Sequence, residues 1–225
     1  RAINRADAVY CSSAYTSEWF ERTYRFDGPI HVIPNLLDED MLTSVAPQDL
    51  RPSLGLDNDA LLIYMPSATS RLKGGDYWLS IIHCIAAASP GPLGFYVPGQ
   101  PPRDFSLDTI DLPENVRLAM PGQQPYAEHV AAVKCCSLGI SPSLIENYSM
   151  ALLEAVICGV PMLAFDTGGN SAIIRDGHNG YLTPLGDLEA ICTHAVSLLD
   201  PGRLAALQQR TREYSQRELS AQKTL

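Results

Sequence analysis

The chain has 225 residues, 46% of them hydrophobic and 18% charged, so it can bury a core of ordinary size without disulfide or metal staples, and its length fits about one and a half domains. A net charge of −9 with only 16 basic residues argues against nucleic acid as a partner and against this segment facing an anionic membrane. No apolar run approaches the roughly 20 residues of a spanning helix, and no charged-then-apolar leader opens the sequence, so a soluble, cytoplasmic protein is expected.

Cys11, Cys84, Cys135, Cys136, Cys158 and Cys192 sit in apolar stretches with no C-x-x-C pair, which reads as buried free thiols in a reducing compartment. The five histidines are scattered, with no H-x-x-x-H or H-E-x-x-H pattern, so no metal site is expected.

In chain order, residues 6–13 (ADAVYCSS) read as a strand and residues 17–25 as an amphipathic helix. Residues 47–58 are polar and turn-rich, a surface connection. From there strand and helix signals alternate. Strands are predicted at 60–65, 93–97, 116–120, 138–141, 160–165 and 180–182, and helices at 75–88, 126–135, 149–158, 169–175, 187–199 and 201–217. Short apolar strands alternating with helices imply an α/β fold, a doubly wound parallel sheet covered on both faces, with ligands bound beyond the carboxyl ends of its strands. The stretch 208–225 reads as a polar helix or frayed tail.

The sequence is richest at 141–170, SPSLIENYSMALLEAVICGVPMLAFDTGGN. A Pro-containing turn leads past Glu146 into a short helix that stops at Gly159, and a buried strand follows. Glu146 and Glu154 stand eight positions apart, one before the helix and one in its second turn, so they can grip two ends of an elongated ligand but cannot share one tight site. Between them the backbone N–H groups near Asn147, Tyr148, Ser149 and Met150 form an electropositive helix start suited to phosphate. Taken singly, Glu146 is a solvated loop residue and Glu154 a surface helix residue. The pattern PSLIEN-x4-LLEA-x3-GVP-x2-AFDTGGN, however, closely resembles the E-x7-E segment of the retaining GT-B glycosyltransferases of the large family-4 group.

Further stretches share the resemblance. Lys73-Gly74 matches the end of that family's G-R-x4-K-G loop, while Ser67 and Ala68 stand where Gly and Arg are usual, leaving Arg71 as the substitute cation. The turn 121–125 (PGQQP), with Gly122 and Gln123, resembles the loop that lies against the nucleobase, a plain surface turn being the alternative. For the turn 98–102 only a structural role is expected. HVIPNLLD resembles the family's linker motif, with Leu36 where Gly is common. The resemblance thus implies residues 1–45 as the tail of an N-terminal acceptor domain and linker, 46–200 as a Rossmann-like donor-binding domain, and 201–225 as a C-terminal helix or tail.

It also implies an activity: transfer of a sugar from a nucleotide-diphosphate donor to an acceptor hydroxyl with retention of configuration. Glu154 would hold the ribose hydroxyls, Glu146 would meet the donor sugar, and Lys73, with Arg71, Gly74 and the helix-start amides, would hold the diphosphate. No cofactor or metal is required beyond the donor. The implied partners are the nucleotide-sugar donor, a glycan or lipid-linked acceptor and the rest of the N-terminal domain, through which peripheral membrane association would arise. Two other readings remain open: a non-catalytic nucleotide-sugar-binding or assembly module, and a GT-B-type nucleotide-sugar epimerase, for which no extra acid or base residues are found.

Overall fold

The computed structural model of the protein describes residues 3–66, 70–101, 106 and 110–219. The chain opens on β1 (Val9–Cys11), α1 (Ala14–Thr23) and β2 (Ile30–Val32); the two strands pair in parallel, Val9 opposite Ile30. Ser13 caps α1 by accepting the Thr16 N–H, and α1 itself buries no residue. Residues 30–32, expected only as part of a linker, thus form a strand. The short α2 (Glu39–Ser44) starts on an Asp38 cap with Glu39 and Asp40 in its first turn, a favourable charge arrangement for a helix start, and buries Leu42.

The main sheet follows: β3 (Leu61–Tyr64), α3 (Trp78–Ala88), β4 (Leu93–Tyr96), β5 (Val116–Ala119), α4 (Tyr126–Val133), β6 (Leu138–Ser141), α5 (Met150–Ile157), β7 (Met162–Phe165), β8 (Gly180–Thr183), α6 (Leu188–Ser197) and α7 (Pro201–Tyr214). Its six strands are all parallel, in the order β5-β4-β3-β6-β7-β8. Every residue of β4, β6 and β7 is buried, as expected of strands covered on both faces.

Strand alternation sorts the apolar side chains into two layers. Ile63, Phe95, Leu163 and Phe165 pack against Trp78, Ile81, Ile82 and Ile85 of α3, Ile191 and Ala195 of α6, and Leu204 and Leu207 of α7. On the other face Leu62, Tyr64, Tyr96, Met162 and Ala164 meet Ala132 and Val133 of α4 and Leu152, Leu153 and Val156 of α5. Each fully buried Leu or Ile stabilises the fold by roughly 1.5–3 kcal/mol relative to exposure. α7 then crosses the sheet's lower edge, where Gln208 donates to the Ser137 carbonyl at 2.8 Å. The following turn, Ser215–Leu219, joins the second layer through Leu219.

One predicted helix is absent. Residues 169–175 form only the 3₁₀ turn Asn170–Ala172, because side chains take over the backbone bonding. Asn170 Nδ2 donates to the Phe165 carbonyl at 2.9 Å, Asn179 Nδ2 donates to the Ile173 carbonyl at 3.0 Å, and Asn179 Oδ1 accepts the Arg175 N–H at 2.7 Å. The helix predicted from residue 75 begins instead at Trp78. Among the described residues, no helix is long and apolar enough to cross a membrane.

Candidate functional site

In the strand order, β3→β4→β5 runs one way from the centre and β6→β7→β8 the other, so the loops after β3 and β6 diverge and leave a crevice between them. Ser67, Ala68 and Thr69 of the first loop lie outside the described residues. From Ser70 the loop winds into a single turn, Arg71–Lys73, and closes on Gly74 in the left-handed region, φ 91°. A Cβ at Gly74 would overlap the Pro142 carbonyl, so glycine lets the two loops touch. Leu144 N–H then donates to the Leu72 carbonyl at 3.0 Å.

That contact sets Lys73 Nζ 2.7 Å from Glu146 Oε1. The Glu146 side chain is 8% exposed and that of Lys73 38%. Arg71 stands apart from this pair: its guanidinium is exposed, with Nε 3.7 Å from Asp76 Oδ2.

The Glu146 loop is also held from behind. Gly168, at φ 57°, lies so close to the Glu146 carbonyl that a Cβ could not be accommodated, and Gly169 is packed as tightly on the Asn147 carbonyl. Thr167 Oγ1 donates to the Leu144 carbonyl at 3.3 Å. From the N-terminal segment, Ser13 Oγ donates to the Asn147 carbonyl at 3.0 Å. Asn147 is exposed, whereas Tyr148 and Ser149 are buried. Ser149 is the N-cap of α5 without a side-chain cap bond, and the helical ladder begins with Leu153 N–H to the Ser149 carbonyl. The amides of Met150, Ala151 and Leu152 precede that ladder at the positive end of the helix.

Glu154, one turn further along α5, lines a cleft of about 500 Å³ together with Gly122, Gln123, Met150 and Ala151. Pro98, Gly99 and Gln100 line the same cleft, so the turn after β4, expected to be structural, contributes to it; Pro102 lies outside the described residues. Glu154 Oε1 accepts from the Tyr126 hydroxyl at 2.9 Å, and Oε2 lies 3.6 Å from His129 Nε2. His129 Nδ1 is 3.0 Å from the Tyr96 hydroxyl, which donates to Gln124 Oε1 at 2.7 Å. The Tyr64 hydroxyl lies 3.5 Å from His129 Nε2.

Burial raises the Tyr64 and Tyr96 phenols above the ordinary tyrosine range, with the Glu154 charge adding to the effect at Tyr64. Tyr126 is raised first by burial and then by its bond to Glu154. All three therefore stay protonated and available as donors at neutral pH. Among the described residues, no group of three or more His, Cys, Asp or Glu is placed to hold a metal ion.

The predicted residues thus fall into two groups, Lys73–Gly74–Glu146 beside the switch point and Glu154–Gly122–Gln123–Met150 in the cleft, joined by residues 147–149. Sequence reasoning missed Tyr64, Tyr96, Gln124, Tyr126 and His129. The available signals were Tyr64 and Tyr96, aligned at the ends of adjacent strands, and Tyr126 and His129, three apart on the first turn of α4.

A six-stranded parallel sheet of this order, with helices on both faces and its loops opening at the switch point, is the Rossmann-like domain of the GT-B class. The sequence profile of the family described as Glycosyl transferases group 1 matches residues 60–201, and the chain belongs to that family. Among solved structures, a sucrose-phosphate synthase from Thermosynechococcus elongatus superposes with a TM-score of 0.74 at 21% identity, over 95% of this chain and 54% of that one. The Anabaena protein HepE, solved in complex with UDP-glucose, superposes with a TM-score of 0.72 at 19% identity, over 94% of this chain and 60% of that one. A D-inositol 3-phosphate glycosyltransferase from Stackebrandtia nassauensis is 26% identical over 193 residues, 81% of this chain and 44% of the relative. The chain therefore spans about half the length of the curated relatives it matches.

Proposed function

We propose that this chain is the donor-binding part of a retaining glycosyltransferase that moves a sugar from a nucleoside-diphosphate donor to an acceptor hydroxyl. The observation that carries it is the division of the site. A carboxylate in the wall of a cleft of about 500 Å³ suits a nucleoside's vicinal hydroxyls, and a lysine–carboxylate pair lies past the amide-lined start of the same helix. In this reading Glu154 accepts from the ribose hydroxyls while the cleft holds the base. Lys73 and the α5 amides meet the diphosphate, and Glu146 meets the donor sugar near its anomeric carbon. The bond from that carbon to the diphosphate oxygen breaks, and a bond from the acceptor oxygen forms on the same face, the acceptor proton passing to the departing diphosphate. Negative charge grows on the leaving group, where prearranged cationic and N–H donors lower the barrier most. No metal is required, because Lys73 and the helix start supply the positive field.

The acceptor is a hydroxyl of a glycan or lipid-linked glycan, met by the remainder of a longer protein in the cytoplasm. The exposed Arg71, its guanidinium set against Asp76 instead of Glu146, favours one second reading, donor binding without transfer. Titration of nucleoside diphosphates into wild-type and Glu154→Ala protein, followed by transfer assays over a panel of donors, tests both. Unchanged nucleotide affinity in Glu154→Ala would defeat the assignment, and binding without transfer in the full-length protein would select the second reading.

A further inference from the structure

Glu154 carries its carboxylate on three rotatable bonds, so unless something holds it, the side chain has to be ordered each time a ligand binds. His129 does not hold it. The Tyr96 hydroxyl has one proton and gives it to Gln124 Oε1 at 2.7 Å, so towards His129 Nδ1, 3.0 Å away, it accepts, and Nδ1 carries the hydrogen of the neutral ring. Nε2 is then a lone pair, facing the Tyr64 hydroxyl at 3.5 Å and standing 3.6 Å from Glu154 Oε2 with nothing to donate. That leaves Tyr126. Its hydroxyl donates to Glu154 Oε1 at 2.9 Å, and among the described residues it is the one hydrogen-bond donor on that carboxylate. The phenol is itself placed: Tyr126 opens α4, and its ring lies tilted at 38° against that of His129, one turn further on, with centroids 6.5 Å apart. Tyr126 and Glu154 both line the cleft, where the glutamate side chain is 12% exposed.

We propose that Tyr126 is a positioning residue for Glu154: by occupying one lone pair of Oε1 it fixes the carboxylate in the cleft, leaving Oε2 and the second lone pair of Oε1 for a vicinal diol. The role rests on the donor-binding reading of Glu154. The ligand it serves is the ribose of a nucleoside diphosphate, and the hydroxyl reaches that ligand only through Glu154.

The test is a calorimetric titration of the 225-residue chain with UDP and with 2′,3′-dideoxy-UDP, which lacks both hydroxyls. Tyr126→Phe deletes the hydroxyl and keeps the ring, so it should weaken UDP about threefold to tenfold, the cost of ordering one flexible side chain on binding, and leave dideoxy-UDP unchanged. In Glu154→Ala protein, which has no carboxylate to hold, adding Tyr126→Phe should change UDP affinity by less than about twofold. Thermal melts of each variant check that it is folded. Equal weakening of both nucleotides by Tyr126→Phe, UDP affinity left unchanged or raised by it, or the same loss when the carboxylate is already gone overturns the role. Glu154→Ala alone separates the two levels. If it binds UDP as wild type does, the donor-binding reading has failed and takes the Tyr126 role with it; if it weakens UDP while Tyr126→Phe does not, the role alone has failed. GDP and ADP with their dideoxy forms replace UDP if UDP does not bind, and binding of none of the three sinks both.

Discussion

Lys73 Nζ and Glu146 Oε1 meet at 2.7 Å across the point where the strand order reverses, one residue from the loop after β3 and the other from the loop after β6. The pair brings together two positions more than seventy residues apart in sequence, and it is mostly shielded on the glutamate side. Removing one partner leaves the other without compensation, which costs more than the pair itself contributes.

Lys73→Met should therefore lower sugar transfer by about 100-fold to 1,000-fold, the range seen when a prearranged donor to a developing charge is removed. Glu146→Gln should lower turnover while nucleotide affinity stays within about threefold of wild type. Parallel kcat and Kd measurements on both variants check the expectation, and a Glu146→Gln protein with full turnover would contradict it.

Gly168→Ala should disturb the site more than it disturbs the fold. The position needs φ 57°, where an L side chain costs about 1–2 kcal/mol, and its added methyl would also push the Glu146 carbonyl. Gly177→Ala is the control, since it shares a positive φ of 70° but meets nothing within 4 Å. Both variants should melt a few degrees lower by the backbone cost alone, and only Gly168→Ala should lose most of its turnover. Equal turnover in the two would show that the 144–147 loop does not depend on that contact.

Chelation should leave activity intact. If Lys73 and the α5 amides meet the diphosphate as proposed, transfer in excess EDTA should proceed within about twofold of the untreated rate, since no metal-borne charge stabilisation is lost. A rate abolished by EDTA and restored by a divalent cation would assign the diphosphate to a metal instead.

The thiols should respond to alkaline pH. Burial pushes Cys158 up to about 11, from an ordinary value near 9, and Cys192 up to about 12, the latter aided by a thiol hydrogen bond with Cys84. A group whose folded value is raised contributes stability fully below its unfolded value and loses it as pH climbs through the folded one. The urea midpoint should accordingly be flat up to about pH 9 and decline between there and about 12. Cys158→Ser should lessen that decline, and an unaltered slope would remove this thiol as its cause.

Much of the fold could be read in advance because parallel strands buried on both faces write themselves as short apolar runs. β4, β6 and β7 are of that kind. β2 escaped because its three residues, set between Pro29 and Pro34, run into a stretch that reads as a linker, and a pairing partner 21 positions earlier leaves no local trace. The stretch after Gly169 misled in the opposite sense. Its apolar Ile173 and Ile174 do go to the core, but two asparagine side chains satisfy the backbone that a helix would have used. Glu146 and Glu154 could be singled out because they share one uninterrupted string. The histidine and the three phenols around Glu154 could not, since β3, β4 and α4 supply them separately and only tertiary closure makes them neighbours.

Ser13 answers to two masters. The same hydroxyl that caps the start of α1 also grips the Asn147 carbonyl, next to Glu146 in the chain. Displacing α1 strains that grip, and reshaping the 146–149 backbone strains the cap in turn. Reciprocity then requires that any ligand whose binding at 146–149 favours one position of α1 is itself bound more tightly, by the same factor, when α1 is held in that position.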